Sequence, residues 1–127
     1  MHKKETTHMY VLREDYEKLK LISGGNELFL KRNAALYVES VISKLMINTG
    51  IITLASAVNS EIYAEDKHYE KLEGKIREME KYDLDDFVEI DGVEIGENIF
   101  LFAVMLAEEM DTAVEYVLAA AVSLALG

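Results

Sequence analysis

The stretch from Gly96 to Gly127, GENIFLFAVMLAEEMDTAVEYVLAAAVSLALG, constrains the fold more than any other part of the chain. Its apolar residues recur at alternating spacings of four and three, the pattern of a helix with one continuous apolar stripe. The stripe consists of Ile99, Ala103, Leu106, Met110, Ala113, Val117, Ala120 and Leu124. We predict a helix over about 97–126, although the pattern does not decide whether it breaks near Asp111 and Thr112.

The apolar runs of this predicted helix are too short to cross a membrane. A transmembrane helix needs about 20 consecutive apolar residues, whereas the longest runs here are IFLFAVMLA and YVLAAAVSLAL. The carboxylates between them, Glu108, Glu109 and Asp111, would be unfavourable in lipid. The N-terminus, MHKKETTHMY, has no apolar signal region. We therefore expect a cytoplasmic protein with no membrane segment.

The remaining pattern predicts an all-α fold in a single domain, 1–127, with a flexible tail over 1–8. At the N-terminus a short strand is predicted at 9–12, and a short helix follows over 14–22. Longer helices are predicted within 27–48 and over about 51–82, the second with a heptad seam. The last helix is apolar on nearly all sides, and two other long helices are too few to shield all of these sides from water. We therefore predict a homo-oligomer, most simply a dimer, joined through the 97–126 helix.

One segment interrupts the helical pattern just before the last helix. FVEIDGVEIG, residues 87–96, alternates apolar and acidic residues around Asp91 and Gly92. An Asp-Gly pair between alternating residues is a strong signal for a two-residue turn between antiparallel strands. We predict a small β-hairpin over about 87–95.

The formal net charge of −11 is concentrated after residue 50, where 18 Asp and Glu face five Lys and Arg. Phosphate binding requires cations, so direct contact with nucleic acid is not expected. A protein with a basic surface is the expected partner. We predict a non-enzymatic interaction protein without a cofactor, for example a phage or mobile-element inhibitor that presents carboxylates where phosphates would sit. The predicted partner-binding residues are Asp83, Asp85, Asp86, Glu89, Asp91 and Glu94.

An alternative hypothesis is a metal site at Glu65 and His68. The chain has no cysteine, so only carboxylates and imidazoles are available as strong ligands. Glu-x-x-His on a helix resembles the motif with which ferritin-like di-metal proteins present two ligands to one ion. That family uses two such motifs in each bundle, and this chain contains one, so a dimer would have to supply the second.

A second metal hypothesis concerns Glu108 and Asp111. Glu-x-x-Asp on a helix resembles the later half of the signature of the all-α MazG-like nucleotide pyrophosphohydrolases, with Glu70 and Glu73 as the earlier pair. The resemblance implies an enzyme that holds Mg²⁺, or Mn²⁺, against a nucleoside triphosphate. The earlier pair departs from the family pattern because its doubled glutamate is missing. No cation follows Lys81 to bind the phosphates.

A further alternative is a DNA-binding regulator. The opening MYVLREDYEKLKLIS resembles the strand and first helix of ribbon-helix-helix proteins, whose paired strands read the major groove. The predicted strand would place His8, Tyr10 and Leu12 on one face. These side chains are not a convincing set of base readers.

Overall fold

The computed structural model describes residues 3–55 and 67–127. In these residues five helices pack on a two-stranded antiparallel sheet, so the prediction of an all-α bundle with three long helices was wrong. The elements in chain order are β1 (Lys4–Leu12), α1 (Arg13–Ile22), α2 (Glu27–Ala55), α3 (Lys67–Met79), a 3₁₀ turn (Leu84–Asp86), β2 (Phe87–Gly96), α4 (Glu97–Glu109) and α5 (Val114–Leu126).

The first two helices follow local sequence signals closely. α1 ends where Gly24 and Gly25 adopt positive φ angles of 62° and 75°, a conformation that glycine reaches without strain. The side chain of Asn26 then caps α2 by accepting a hydrogen bond of 3.0 Å from the backbone N–H of Phe29. α2 continues to Ala55, beyond the stop predicted at 49–50, because a lone glycine without proline weakens a helix but does not end it.

The predicted hairpin is a single strand. β2 pairs with β1, so that Lys4 lies opposite Gly96 and Leu12 lies opposite Phe87. The N-terminal residues from Lys4 onward therefore belong to a strand, which corrects both the predicted tail and the predicted strand at 9–12. β1 is thus paired within its own chain, whereas the strand of a ribbon-helix-helix protein pairs with its twin in the dimer.

The Asp91–Gly92 pair forms a β-bulge where the sequence predicted a turn. Thr7 lies opposite Val93 and Met9 lies opposite Ile90, so one residue of β1 faces two residues of β2. Gly92 has a φ of 69°, the left-handed conformation that an Asp-Gly turn would also have required. The sequence signal identified this backbone conformation correctly but assigned it to the wrong structure.

The bulge decides which side chains of β2 reach the core. The apolar side chains on both sides of it, Ile90 and Val93, are buried although three positions separate them. In an unbroken strand, residues three apart would face opposite sides of the sheet. The extra residue restores the alternation, so the acidic side chains of β2 all face outward: Glu89, Asp91 and Glu94.

The last helix breaks, which settles the point that its periodicity left open. Asp111 adopts a φ of 54°, and the N–H of Thr112 donates to the carbonyl of Ala107 at 2.9 Å, as in a Schellman helix end. Arg77 of α3 donates hydrogen bonds to the carbonyl of Met110 and to Glu80. Glu80 in turn accepts a 2.8 Å hydrogen bond from the Thr112 hydroxyl. α3 therefore holds the turn between α4 and α5.

α5 lies at the centre of the fold. Every residue from Val117 to Ser123 is buried, and the helix packs against β1, α2, α3 and α4. The other elements of the same chain therefore cover α5, although the sequence analysis expected a second copy to be needed for this. The homo-oligomer stays a prediction, and the burial of α5 no longer supports it. No helix in the described ranges combines the length and the apolar character needed to traverse a bilayer.

Candidate partner-binding face

The outer face of the two-stranded sheet carries the acidic residues of β2. The side chains of Met9 and Val11 in β1 are buried against the core. The alternating residues His8 and Tyr10 therefore point outward. Tyr10 lies directly opposite Glu89 in the antiparallel ladder. The sheet therefore presents a polar and acidic surface on the side away from α2 and α5.

The 3₁₀ turn before β2 extends this surface. Asp83 and Asp86 form a reciprocal capping box, in which the Asp83 N–H donates to the Asp86 carboxylate at 2.9 Å. Arg13 anchors the same turn through a hydrogen bond of 3.2 Å to the carbonyl oxygen of Asp85. All six predicted partner-binding residues are exposed, and the turn that carries three of them is held in one conformation.

An apolar groove of about 520 Å³ lies between the turn, the sheet and the start of α5. The aromatic ring of Phe87 packs edge-on against Tyr82 and Tyr116, at centroid distances of 6.3 and 6.2 Å. Carboxylates stand beside these apolar groups. The residues that line the groove are Tyr10, Leu84, Phe87, Glu89, Glu115 and Tyr116, and we call it the acidic groove.

The side chain of Leu84 stands open at this groove. It is 84 % exposed, the largest exposed fraction among the large apolar side chains of the described residues. An apolar group in contact with Leu84 and the aromatic rings would be shielded from water while cations nearby met Glu89 and Glu115. The acidic groove therefore suits a cationic segment that carries one apolar side chain.

Glu94 lies in a different electrostatic environment from the other predicted residues. It lines a second pocket, of about 470 Å³, together with Lys4, Lys31 and Arg32. These cations offset its charge, so Glu94 adds little negative potential to the predicted acidic surface. Glu115 takes its place, since it lines the acidic groove although it is 21 residues further along the chain.

None of the residues predicted for metal binding belongs to a cluster of three or more potential ligands in the part of the chain that is described. Glu65 lies outside the described residues. His68 is exposed at the start of α3, whereas Glu108 lies in the last turn of α4. Asp111 is separated from Glu108 by the helix break, so the two carboxylates do not occupy successive turns of one helix. Both metal assignments stay predictions.

One group of potential ligands in the described ranges has its ligating atoms within 4.8 Å of one another: His8, Glu89 and Asp91. The sequence did not suggest this group, because His8 was placed in a flexible tail. In HMYV, fully apolar residues alternate with residues that carry a polar group. This alternation was a signal for extending the strand to His8. Nothing local to the sequence indicated that this strand would pair with β2.

The ion pair between Arg77 and Glu80 has a structural role. The hydrogen bond that Arg77 donates to Glu80 raises the pKa of Arg77, and the hydrogen bonds donated by Arg77 and then Thr112 lower the pKa of Glu80. Each shift favours the charged form of its side chain. The two side chains hold the turn after α4.

Asp15 carries a buried carboxylate that is not part of the acidic surface. It is 4 % exposed, and its Oδ2 atom has no hydrogen-bond partner among the described residues. Burial raises the pKa of Asp15, and a hydrogen bond with Ser123 of α5 opposes this shift in part. Because the carboxyl lies between α1 and α5, its charge is expected to oppose folding.

Replacing Asp15 by asparagine is therefore expected to raise the free energy of unfolding at pH 7 by about 1 kcal/mol. The folded-state pKa of Asp15 lies above its unfolded value, so its contribution to stability falls as the pH rises through these two values. The advantage of the Asp15→Asn variant should be small near pH 4 and largest at neutral pH. Thermal or urea unfolding across this range measures it.

The matched control is Glu14→Gln, which removes an exposed carboxylate from the same turn of α1. It is expected to change stability by less than about 0.5 kcal/mol. A loss of stability in Asp15→Asn at neutral pH would show that the ionised carboxylate has a favourable partner and would contradict the burial argument.

No protein-family model, curated protein or solved structure matches this chain. The functional assignment therefore depends on the geometry and charge of the acidic groove.

Proposed function

We propose that this protein is a non-enzymatic interaction protein that binds a basic segment of a partner protein in the acidic groove. The observation that carries the proposal is the groove itself, which the exposed side chain of Leu84 and three aromatic rings line together with Glu89 and Glu115. The concrete form proposed is an inhibitor, of phage or mobile-element type, that covers a surface with which its partner contacts nucleic acid.

Two physical effects support binding of this kind. Burying Leu84 and the aromatic rings removes apolar surface from water, which is the main favourable term in association. The net charge of −11 attracts a cationic partner over distances of about one Debye length, roughly 10 Å at 0.1 M salt. Aromatic anchors would determine affinity, and the surrounding carboxylates would determine association rate and specificity.

The test uses a synthetic peptide rich in Arg and Lys with one central Leu, titrated into the isotope-labelled protein. Chemical-shift changes are expected at the residues that line the groove, and replacing the central Leu by Ser should weaken binding. Raising the salt from about 50 to 300 mM should weaken binding several-fold, because the attraction between exposed charges is screened. Equal shifts at Glu108 and Glu109, exposed acids that do not line the groove, would contradict a specific groove.

A charge variant separates the groove from the total charge of the molecule. Asp85→Asn combined with Glu89→Gln and Glu115→Gln is expected to weaken peptide binding about tenfold or more, since charges close to the groove are removed. The control combines Glu14→Gln, Glu17→Gln and Glu78→Gln, which neutralises three exposed acids elsewhere. If both triple variants bind the peptide equally weakly, net charge alone is responsible and the proposed groove is wrong.

A further inference from the structure

The β-bulge brings an imidazole and two carboxylates to one point on the outer face of the sheet. His8 Nδ1 lies 2.9 Å from Glu89 Oε1 and 2.9 Å from Asp91 Oδ1. His8 is the residue of β1 that faces the bulge, and the two acids come from β2 on either side of Ile90. Residues more than 80 positions apart in the chain thus share one site.

We propose that His8, Glu89 and Asp91 bind a divalent transition-metal ion, with zinc as the expected ion. Nδ1 carries at most one hydrogen, and two carboxylate oxygens compete for it at the same distance. A metal ion in place of that proton bonds to the nitrogen and to both oxygens. It also balances two negative charges, which a single proton does not.

The distances from His8 Nδ1 to the two carboxylate oxygens suit zinc with a small adjustment, and all three ligand atoms lie within 4.8 Å of one another. Zinc bonds to nitrogen and oxygen of about 2.0–2.2 Å in a tetrahedral arrangement place neighbouring ligand atoms about 3.4 Å apart. The observed separations of 2.9 Å must therefore widen by about half an ångström. The three side chains are 50–74 % exposed, so they can rotate outward without disturbing the core.

The ligand types select among the divalent cations. Mg²⁺ and Ca²⁺ prefer sites built from oxygen atoms, whereas an imidazole nitrogen favours zinc and its transition-metal neighbours. Three protein ligands leave the fourth position of a tetrahedral ion to water or to a group from another molecule. The bound ion would also join β1 to β2, because it takes one ligand from the first strand and two from the second.

The backbone that carries the ligands is held by the strand pairing and the core. The neighbours of the ligands in sequence, Met9 and Ile90, are buried at 0 % and 4 % exposure. Gly92 supplies the left-handed residue that the bulge requires. A metal ion therefore needs only side-chain rotation to bind, and little backbone ordering opposes binding.

The experiment is a calorimetric titration of the full chain, prepared without a histidine tag and freed of metal with a chelator. Zinc chloride is expected to give saturable binding of one ion per chain, and magnesium chloride is expected to give none. His8→Ala and Asp91→Asn should each weaken zinc binding by at least about tenfold, since loss of an outer-shell partner alone usually has that effect. Circular dichroism of each variant checks that the fold is retained.

Two matched controls test the assignment of the ligands. Glu94→Gln removes an outward carboxylate from the same strand, and His68→Ala removes a histidine from α3. Both variants should bind zinc like the parent protein. Zinc should also shift the NMR signals of the His8 ring. Absence of saturable binding, or zinc affinity unchanged in His8→Ala, would overturn the proposal.

The zinc site does not depend on the proposed partner, although Glu89 belongs to both. Glu115→Gln changes the groove alone and should leave zinc affinity unchanged. Peptide binding measured with a chelator present tests the groove alone. Failure of one proposal can thus be distinguished from failure of the other.

Discussion

Replacing Leu118 by alanine is expected to lower the free energy of unfolding by about 3–5 kcal/mol. Leu118 is 1 % exposed and lies in the middle of α5, the helix around which the sheet and the other helices pack. Its removal would leave a cavity that neighbouring elements on several sides can close only in part. Because whole domains are stable by only about 5–15 kcal/mol, this single change should be evident in urea or thermal unfolding.

The control for this prediction is Leu101→Ala on α4. Leu101 is 56 % exposed, so its truncation is expected to change stability by less than about 0.5 kcal/mol. A large loss in Leu101→Ala that depends on protein concentration would show that a second copy covers α4 and would support the predicted homo-oligomer. Equal effects of the two substitutions without that dependence would contradict the central position of α5.

Replacing Ala120 by leucine is expected to destabilise the protein by overpacking the contacts of α5. Ala119, Ala120 and Ala121 are buried at 0–1 % exposure, so the neighbouring elements approach α5 closely at this point. A leucine would force them apart, and overpacking of a filled core usually lowers stability by about 1–3 kcal/mol. Leucine is as good a helix former as most residues, so intrinsic helix propensity does not explain the loss. Urea unfolding measures it.

Ala125→Leu provides the comparison within the same helix. Ala125 is exposed near the end of α5, and a leucine there has room. Its stability should stay within about 0.5 kcal/mol of the parent protein. If Ala120→Leu were tolerated equally well, the run of small residues would not lie at a close contact, and the packing around α5 would need revision.

Local patterns were sufficient for the helices and caps that depend on nearby residues. The helix predicted over 14–22 ends at Ile22 as expected, because its end at Gly24 and Gly25 and the cap at Asn26 involve residues within one helical turn. The predicted seam is confirmed where it falls in α3, since Leu72, Ile76 and Met79 are buried there. The rest of that seam, including Glu65, lies outside the described residues.

The candidate site was predicted only in part. Charge alone identified the exposed acids of the 3₁₀ turn and β2, because acidic side chains are seldom fully buried. Charge did not distinguish Glu94, which shares its pocket with cations, from Glu115, which lines the groove. It also did not include Tyr10 and Tyr116, whose positions depend on how β1 and α5 pack.

The break in the last helix shows why periodicity was insufficient there. The apolar stripe continues through Met110 and Ala113, so a straight helix and two packed helices predict nearly the same pattern. The usual marker of a left-handed helix end is glycine, and this chain has Asp111 in its place. The turn is held by Arg77 of α3 and by Glu80 just after α3, which no local pattern connects to it.

The sequence by itself determined the apolar faces of the helices, that a left-handed residue is needed at Gly92, and that the second half of the chain is strongly acidic. These properties follow from residue type and spacing within a few positions. The tertiary structure decided that Phe87–Gly96 pairs with the N-terminal strand, which moved His8 from a predicted tail to the outer face of a sheet. Strand pairing joins residues far apart in the chain, and its choice depends on which apolar faces the core can bury together, so no local pattern determines it.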